Sequence, residues 1–486
     1  MAGTGKSAVA HTVAGQFDKL KRLGSCYSFS RAEAAKRHPG NFFSTISIGI
    51  ADLDKQWKKH LCDAIQDKHA TRTSASPQLQ FETFILEPSQ KLPTVGNVGP
   101  ILIVVDAIDE SADEGSESRK KIIDILSKQT AQLPSNFRIL VTGRPDKDIE
   151  KAFKEKPDRI KWMDMSNVKS TNEDIYMFIE DQLADVAELG DNLTGAYRRL
   201  LDSSGGLFQW AFTACGEINN PTNGQSALER LNDFASGQAL GLDALYLDVL
   251  RRAFVETDAA ALSRFVSVLG PILVSREPLS TSSLSKLRPN DEPSGLVKSV
   301  LRPLGSLLSG VAEDSIRVRP LHTSFRDFLT DKSRSRAFYV DIRPQDACLG
   351  LACLRVMNTL QFNMCEFPNS HLSNDDVPDL VKRVESKILP HLSYACRFWA
   401  HHLREGASVQ EVSAELETFF KERLLFWLEI QSLTQQVGAT VEMLRLIVDW
   451  VKVSIIQSRP REFTEYVLET RRSLPRGYRC AEIRGN

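Results

Sequence analysis

Ala2-Gly3-Thr4-Gly5-Lys6-Ser7, at the start of the chain, matches the back half of the phosphate-binding loop G-x-x-x-x-G-K-[ST], with Gly5, Lys6 and Ser7 in its last three places. Glycines at 3 and 5, either side of Thr4, permit a tight turn whose backbone N–H groups point at phosphate oxygens. Lys6 is a mobile cation suited to β- and γ-phosphates, and the Ser7 hydroxyl is suited to Mg²⁺. A helix from Lys6 to about Phe17 is expected to turn its positive N-terminus toward the same phosphates. The first glycine of the pattern would fall one residue before Met1, so the chain starts inside the motif. The strand that normally feeds the loop is then expected to be missing from the sheet, and its neighbours to expose unpaired edges where it belongs. Six residues alone could match by chance; motifs further along decide against that.

Moving outward, the first 165 residues alternate strand and helix signals. Leu23 to Ser30 reads as a strand, and a helix follows around Phe42 to Ala51. Leu86 to Pro100, rich in Pro, Gly and polar residues, reads as a loop. The continuous apolar runs Ile101 to Val105 and Phe137 to Thr142 fit buried parallel strands, with helical spacing from Arg119 to Gln132 between them. This alternation implies a doubly wound α/β layer, in which ligands sit at the carboxyl ends of the strands. Asp106, Asp109 and Arg144 fall at those ends. Beyond about residue 166 the strand pattern fades. Asn172 to Val186 and Leu193 to Asp202 read as amphipathic helices, and Gly206 to Cys215 begins a nearly all-round apolar helix expected to be buried. Ala261 to Phe328 suits a small helical module with a short hairpin near Ser306 to Arg319. Helices dominate again from Phe338, and no repeat of twenty to fifty residues is present.

An apolar run followed by Asp is a Walker B signal. Asp106 is placed to hold Mg²⁺, and Asp109 or Glu110 to orient or deprotonate an attacking water. The competing reading is that these acids only solubilise a strand end. Arg144, after the next buried strand, is an always-charged fork that can sense a γ-phosphate, or else a surface arginine in a turn before Pro145. His322 lies in Arg319-Pro-Leu-His-Thr-Ser-Phe-Arg-Asp-Phe-Leu329, where the apolar positions give a helix a core face. On its own it reads as a structural hydrogen-bonding residue.

Composition sets bounds. At 486 residues the chain exceeds a single core, and 42% hydrophobic with 25% charged residues is ordinary for a globular protein. The formal net charge of −1 gives no global attraction to nucleic acid or an anionic membrane. The arginines at 471, 472, 476 and 479 read as a solvated tail. Eight cysteines include no C-x-x-C pair and no zinc-like His spacing, and most lie in apolar helical surroundings, as buried free thiols of a reducing compartment do. No signal peptide is visible, and the longest apolar runs, such as Phe265 to Val274, are too short to span a bilayer.

With these motifs in order, the chain resembles the NACHT proteins of the STAND class of P-loop NTPases, especially the large cytoplasmic NACHT proteins of mushroom-forming fungi. The resemblance covers most of the chain. It rests on Ala2 to Ser7, Ile101 to Glu110 (with the small Ala107 before the acidic pair), Ile139 to Pro145, Gly206-Leu-Phe-Gln-Trp-Ala211, Val268 to Leu273, Leu321 to Leu329 and Tyr394 to Leu403. Each stretch is weak alone, and their order and spacing are specific. The resemblance implies an α/β P-loop NTPase domain, a parallel sheet with its first strand missing, followed by helical and winged-helix domains, and mostly α structure in the second half. The layout is a nucleotide-binding domain at 1–165, a helical domain at 166–245, a winged-helix-like domain at 246–335 and a C-terminal helical region at 336–486. ATP or ADP (or GTP) with Mg²⁺ is the implied cofactor, bound by Gly3, Thr4, Gly5, Lys6 and Ser7, with Ser7 and Asp106 on the metal, and with Asp109, Glu110 and Arg144 in a slow hydrolysis. ADP would hold a closed state, with His322 near the β-phosphate. Exchange for ATP would release the winged helix and permit a nucleotide-dependent homo-oligomer. The implied role is cytoplasmic signalling in fungal self/non-self recognition or defence, with protein partners, no nucleic acid and no membrane. Two other readings remain open: a truncated or degenerate relative that holds no nucleotide and acts as a protein-interaction scaffold, and a metabolic or transport P-loop enzyme, against which the long helical second half argues.

Overall fold

The computed structural model describes residues 3–457, apart from 32, 34–35, 37–38, 68–73, 75, 93–99, 113–115, 155–158, 166–167, 169–170, 187–192, 222–223, 238–239, 290–292, 294, 368–373 and 408. Ala2, Cys480 and the C-terminal arginine cluster lie outside the described residues. The chain divides into two compact units. One comprises Met1–Asp248 with His322–Ser324, the other Val249–Leu321 with Phe325–Asn486.

The first unit begins with α1 (Lys6–Lys19) and a three-stranded parallel sheet in the order β1 (Leu23–Ser28), β2 (Ile101–Asp106), β3 (Phe137–Val141). β2 is buried along its whole length. Successive side chains of a strand point to opposite faces, and β2 serves two cores this way. Leu102 and Val104 pack with Ala10 and Ala14 of α1. Ile101, Ile103 and Val105 face Phe42, Ile46, Trp57, Ile122 and Ile125, from the helices Phe42–Leu53, Lys55–Asp67 and Glu117–Lys128. A continuous apolar run is the sequence that such a two-sided position requires.

Three expectations are corrected. The strands ending at Asp106 and Val141 flank no gap: β2 and β3 pair directly, from Ile101 with Phe137 to Val105 with Val141. Buried backbone N–H and C=O groups must find partners, and direct pairing supplies them. Among the described residues, β3 has no ladder partner on its outer edge. The stretch Leu86 to Pro100 is not all loop, because Phe81–Leu86 and Glu87–Gln90 are helical. Pro88 lies inside this continuous helical run, directly after the π-wound turns Phe81–Leu86, a local rewinding of the kind that accommodates a proline within a helix. Of the cysteines, Cys215, Cys353, Cys365 and Cys396 are buried free thiols, but Cys26, Cys62 and Cys348 are exposed.

The rest of the first unit is helical, through Thr171–Leu183, Thr194–Ser204, Phe208–Asn219 and Ala227–Ala235. The helix Phe208–Asn219 is not buried all round, since Phe212 is 45% exposed. Buried Arg230 links this unit's helices, pairing with Glu217 at 3.1 Å and Asp248 at 2.7 Å. The second unit is built around the helices Ala259–Val274, Ile342–Met357, Pro390–Gly406 and Val437–Gln457, with a two-residue antiparallel ladder, β4 (Leu308–Ser309) and β5 (Arg319–Pro320). The α/β start followed by helix is therefore present. Among the described residues no helix is long and apolar enough to cross a membrane.

Candidate functional site

Gly3 and Gly5 both have left-handed backbones, with φ of 80° and 79°, and Gly5 caps α1. A side chain at Gly3 would meet Gln209 Cβ at 2.8 Å, because the N-terminus of the helix Phe208–Asn219 packs on the loop and Gln209 N–H donates to the Gly3 carbonyl at 3.2 Å. Glycine is therefore required at position 3 twice over, by conformation and by space. Lys6 Nζ donates to Thr4 Oγ1 at 3.2 Å. Burial holds the Lys6 ammonium below the ordinary lysine value, with Asp109 opposing.

At the carboxyl end of β2, Ser7 Oγ donates to Asp106 Oδ1 at 3.1 Å, and Thr142 Oγ1, at the end of β3, donates to the same oxygen. His11 Nε2 lies 4.0 Å from Asp106 Oδ2. Ala107 then takes a left-handed turn, φ 56°, and carries Asp109 and Glu110 into the first unit's interior. The two acids are held differently. Asp109 is gripped by Arg144, whose backbone N–H reaches Oδ1 at 3.1 Å and whose Nε lies 3.2 Å from Oδ2. Glu110 Oε2 accepts from Arg31 N–H at 3.0 Å. Burial nevertheless pushes the Glu110 carboxyl above its usual value, Arg31 opposing and the Asp109 charge adding to the rise. Behind the turn, fully buried Arg119 donates to the Asp109 carbonyl at 2.8 Å and bonds Asp148 (2.8 Å) and Asp146 (2.7 Å). From far along the chain, Thr323 Oγ1 accepts from Arg144 Nη2 at 2.6 Å. His322 Nδ1 is 2.6 Å from Ser324 Oγ, which is itself 2.7 Å from the Tyr246 hydroxyl.

These residues enclose one cleft of about 250 Å³. Gly3, Thr4, Gly5, Lys6, Ser7, Asp109, Glu110, Arg144 and His322 all line it, and Asp106 stands just behind Ser7. Phe178, Phe208 and Phe212 complete an apolar wall, with ring centroids 6.2 Å (Phe178–Phe208) and 6.5 Å (Phe178–Phe212) apart. Sequence reasoning did not single out Thr142, Thr323, Arg31, Arg119 or the three phenylalanines as site residues. Thr142 and Arg31 carried a usable signal, since each is polar and close after a strand's carboxyl end, like Asp106. Phe208 and Phe212 share a face of one helix and Phe178 comes from another, and nothing in the sequence brings the two helices together.

Among the described residues no group of three or more His, Cys, Asp or Glu side chains converges as a metal-ligand set. Magnesium held by one hydroxyl, one carboxylate, phosphate oxygens and water needs no such group, and Ser7 with Asp106 provides that hydroxyl and carboxylate on adjoining atoms.

A glycine loop thus opens α1 beside acids at the carboxyl ends of a parallel sheet. Residues 1–144 match the family described as nephrocystin 3, N-terminal. The match runs through α1, all three strands and Arg144. No curated protein and no solved structure matches the chain.

Proposed function

We propose that the first unit is a nucleotide-gated switch of the NACHT/STAND type, binding ATP or ADP (or GTP) with Mg²⁺ and hydrolysing it slowly. The observation that carries this reading is the single cleft on which Gly3 to Ser7, Asp109, Glu110, Arg144 and His322 meet, although His322 lies far downstream in the sequence. The loop N–H groups and Lys6 bind the phosphates. Ser7 and Asp106 would hold magnesium, which when bound neutralises phosphate charge. Glu110 takes the proton of the attacking water, its raised pKa bringing it closer to the working pH of a general base. Asp109 orients Arg144, and Arg144 ties Thr323 to the cleft. The phenylalanine wall offers the base an apolar face. On this reading 1–165 is the nucleotide-binding domain, 166–245 the first helical domain, 246–335 the winged-helix-like domain and 336–486 the second helical region. The protein acts in cytoplasmic signalling of the fungal self/non-self or defence kind, through protein partners and a nucleotide-dependent homo-oligomer. The near-zero net charge accords with no role for nucleic acid.

A volume of about 250 Å³ is below the ~300–1,000 Å³ usual for ligand sites, and this favours a second reading: a relative that holds no nucleotide and acts as a scaffold. Titrating labelled ADP and ATP into the chain and into Lys6→Ala, with and without Mg²⁺, separates the two. The switch requires saturable binding that Lys6→Ala weakens at least ~10-fold. Equal binding by both proteins, or none by either, rejects it. For a chain that does bind, His322→Leu is expected to speed ADP release.

A further inference from the structure

His322 directly precedes the helix Thr323–Leu329. The first N–H groups of a helix have no partner within it, and Ser324 N–H finds one by donating to His322 Nδ1 at 3.2 Å. A backbone N–H can only donate, so Nδ1 accepts and carries no hydrogen. The 2.6 Å contact between Nδ1 and Ser324 Oγ is thereby given a direction, with the serine hydroxyl donating to the ring. That uses the one hydrogen on Ser324 Oγ. The Tyr246 hydroxyl, 2.7 Å away, is then the donor to Ser324 Oγ. Both residues are buried, where a hydroxyl needs such partners. The bonds therefore run one way, from Tyr246 in the helix Gly241–Ala253, through Ser324, to the His322 ring. The reverse order would set a hydrogen on Nδ1 against the Ser324 N–H. Of the three side chains, it is His322 that lines the cleft.

We propose that Tyr246 and Ser324 are positioning residues that hold His322 in one tautomer, its hydrogen on Nε2, so that it meets a phosphate oxygen as a neutral hydrogen-bond donor. A neutral imidazole has one bare nitrogen and one N–H, and with Nδ1 bare the N–H is at Nε2. Such a ring neither takes a proton from water nor ligates magnesium through Nε2. Those tasks are left to Glu110 and to Ser7 with Asp106. Because two buried side chains hold the ring, the donor is already oriented and little freedom is lost when a ligand binds. In naming phosphate the proposal rests on the nucleotide reading above, whereas the tautomer is measurable without nucleotide.

The test has two arms, both on the full-length chain. In the first, without nucleotide, ¹⁵N labelling of the histidine rings reads where each ring carries hydrogen, and the His322 signals are identified by their loss in His322→Gln. One neutral species with its hydrogen on Nε2 is expected, and Ser324→Ala should add a second. A hydrogen on Nδ1, a charged ring, or a ring unchanged in Ser324→Ala overturns the proposal. The second arm times the release of labelled ADP. Glutamine offers an uncharged N–H, so His322→Gln should release ADP within about threefold of the parent rate, and His322→Leu at least ~10-fold faster. Ser324→Ala should speed release about fivefold in the parent but less than about twofold in His322→Leu, since it acts through the ring. Ser324→Thr, which keeps the hydroxyl, should release ADP as the parent does. Release from His322→Gln as fast as from His322→Leu overturns the neutral donor, and equal acceleration by Ser324→Ala in both backgrounds overturns the positioning role. Failure of the first arm in a chain that binds ADP rejects the tautomer alone. A chain that binds no ADP rejects the nucleotide reading, and the phosphate contact with it, whatever the tautomer.

Discussion

Glu110 and Asp109 are neighbours with different constraints, and single substitutions separate their roles. Glu110→Gln keeps the shape and the bond from Arg31 N–H but removes the carboxylate that the proposed hydrolysis uses as its proton acceptor. Turnover should fall by about 10²-fold with nucleotide affinity little changed. Asp109→Asn removes the charge that grips Arg144, so it should alter affinity as well as rate. Single-turnover hydrolysis beside equilibrium binding distinguishes these outcomes, and equal rates in all three proteins would remove Glu110 from the reaction. Arg119 contributes to stability instead. Its guanidinium is fully buried among Asp146, Asp148 and the Asp109 carbonyl. Arg119→Met strands two carboxylates and should cost the first unit about 3 kcal/mol in urea unfolding. Had the pair been fully exposed, less than ~1 kcal/mol would be expected.

At the scale of elements, the helices Ile342–Met357 and Pro390–Gly406 cross at points where only glycine fits. A Cβ at Gly406 would lie 2.3 Å from both the Ala347 nitrogen and the Arg343 carbonyl oxygen, and one at Gly350 would lie 2.6 Å from Leu403 Cδ2. The atoms opposing Gly406 are backbone, so Gly406→Ala must part the helices and should destabilise the second unit by about 1–3 kcal/mol. Gly15, within α1, has nothing within 4 Å of its would-be Cβ, and Gly15→Ala should stabilise by about 0.5–1 kcal/mol. Denaturant midpoints check both signs. The same contrast explains what could be read from sequence. β2 was legible because a strand buried on both faces is a continuous apolar run, β3 because its run is largely apolar although only Phe137 is buried, and α1 because its loop motif fixes its start. The helical turns at Phe81–Gln90 were not, because Pro88 reads as a helix breaker and nothing in the sequence marks the π-wound turns that precede it. The direct pairing of β2 with β3 was also hidden, since apolar runs reveal strands but not their neighbours. Within the site, Lys6, Ser7 and Asp106 were legible from motif spacing alone. His322 needed the family resemblance, and Thr323 depends on a contact with Arg144 that no local pattern encodes.

On the scale of the molecule, the two units should respond differently to acid. In the second, His402 is fully buried between the Tyr394 hydroxyl (2.8 Å) and Asp346 (2.7 Å), and burial pushes its pKa down with Asp346 opposing. Burial, with Arg276 adding to it, lowers His401 from 6.5 to about 4, and burial also lowers His391. Folded values below the unfolded value mean that the unfolded chain binds more protons. Stability from these groups is therefore full above pH 6.5 and declines as pH falls toward 4, with His401 alone worth on the order of 2–3 kcal/mol by then. Urea unfolding of the second unit, followed at pH 8 and pH 5, should show the loss; an unchanged midpoint would mean that these histidines take up protons as readily in the fold as in the unfolded chain. The chain path has a separate consequence. The first unit is left at Asp248 and regained only at His322–Ser324. During synthesis, at ~5–20 residues per second, the residues between take roughly 4–15 seconds to be added. For that interval the nascent first unit has its glycine loop, its acids and Arg144 but not Thr323 or His322. A ribosome-bound chain therefore presents the cleft with one wall still unmade, and any molecule bound there in those seconds is met by His322 as a late arrival.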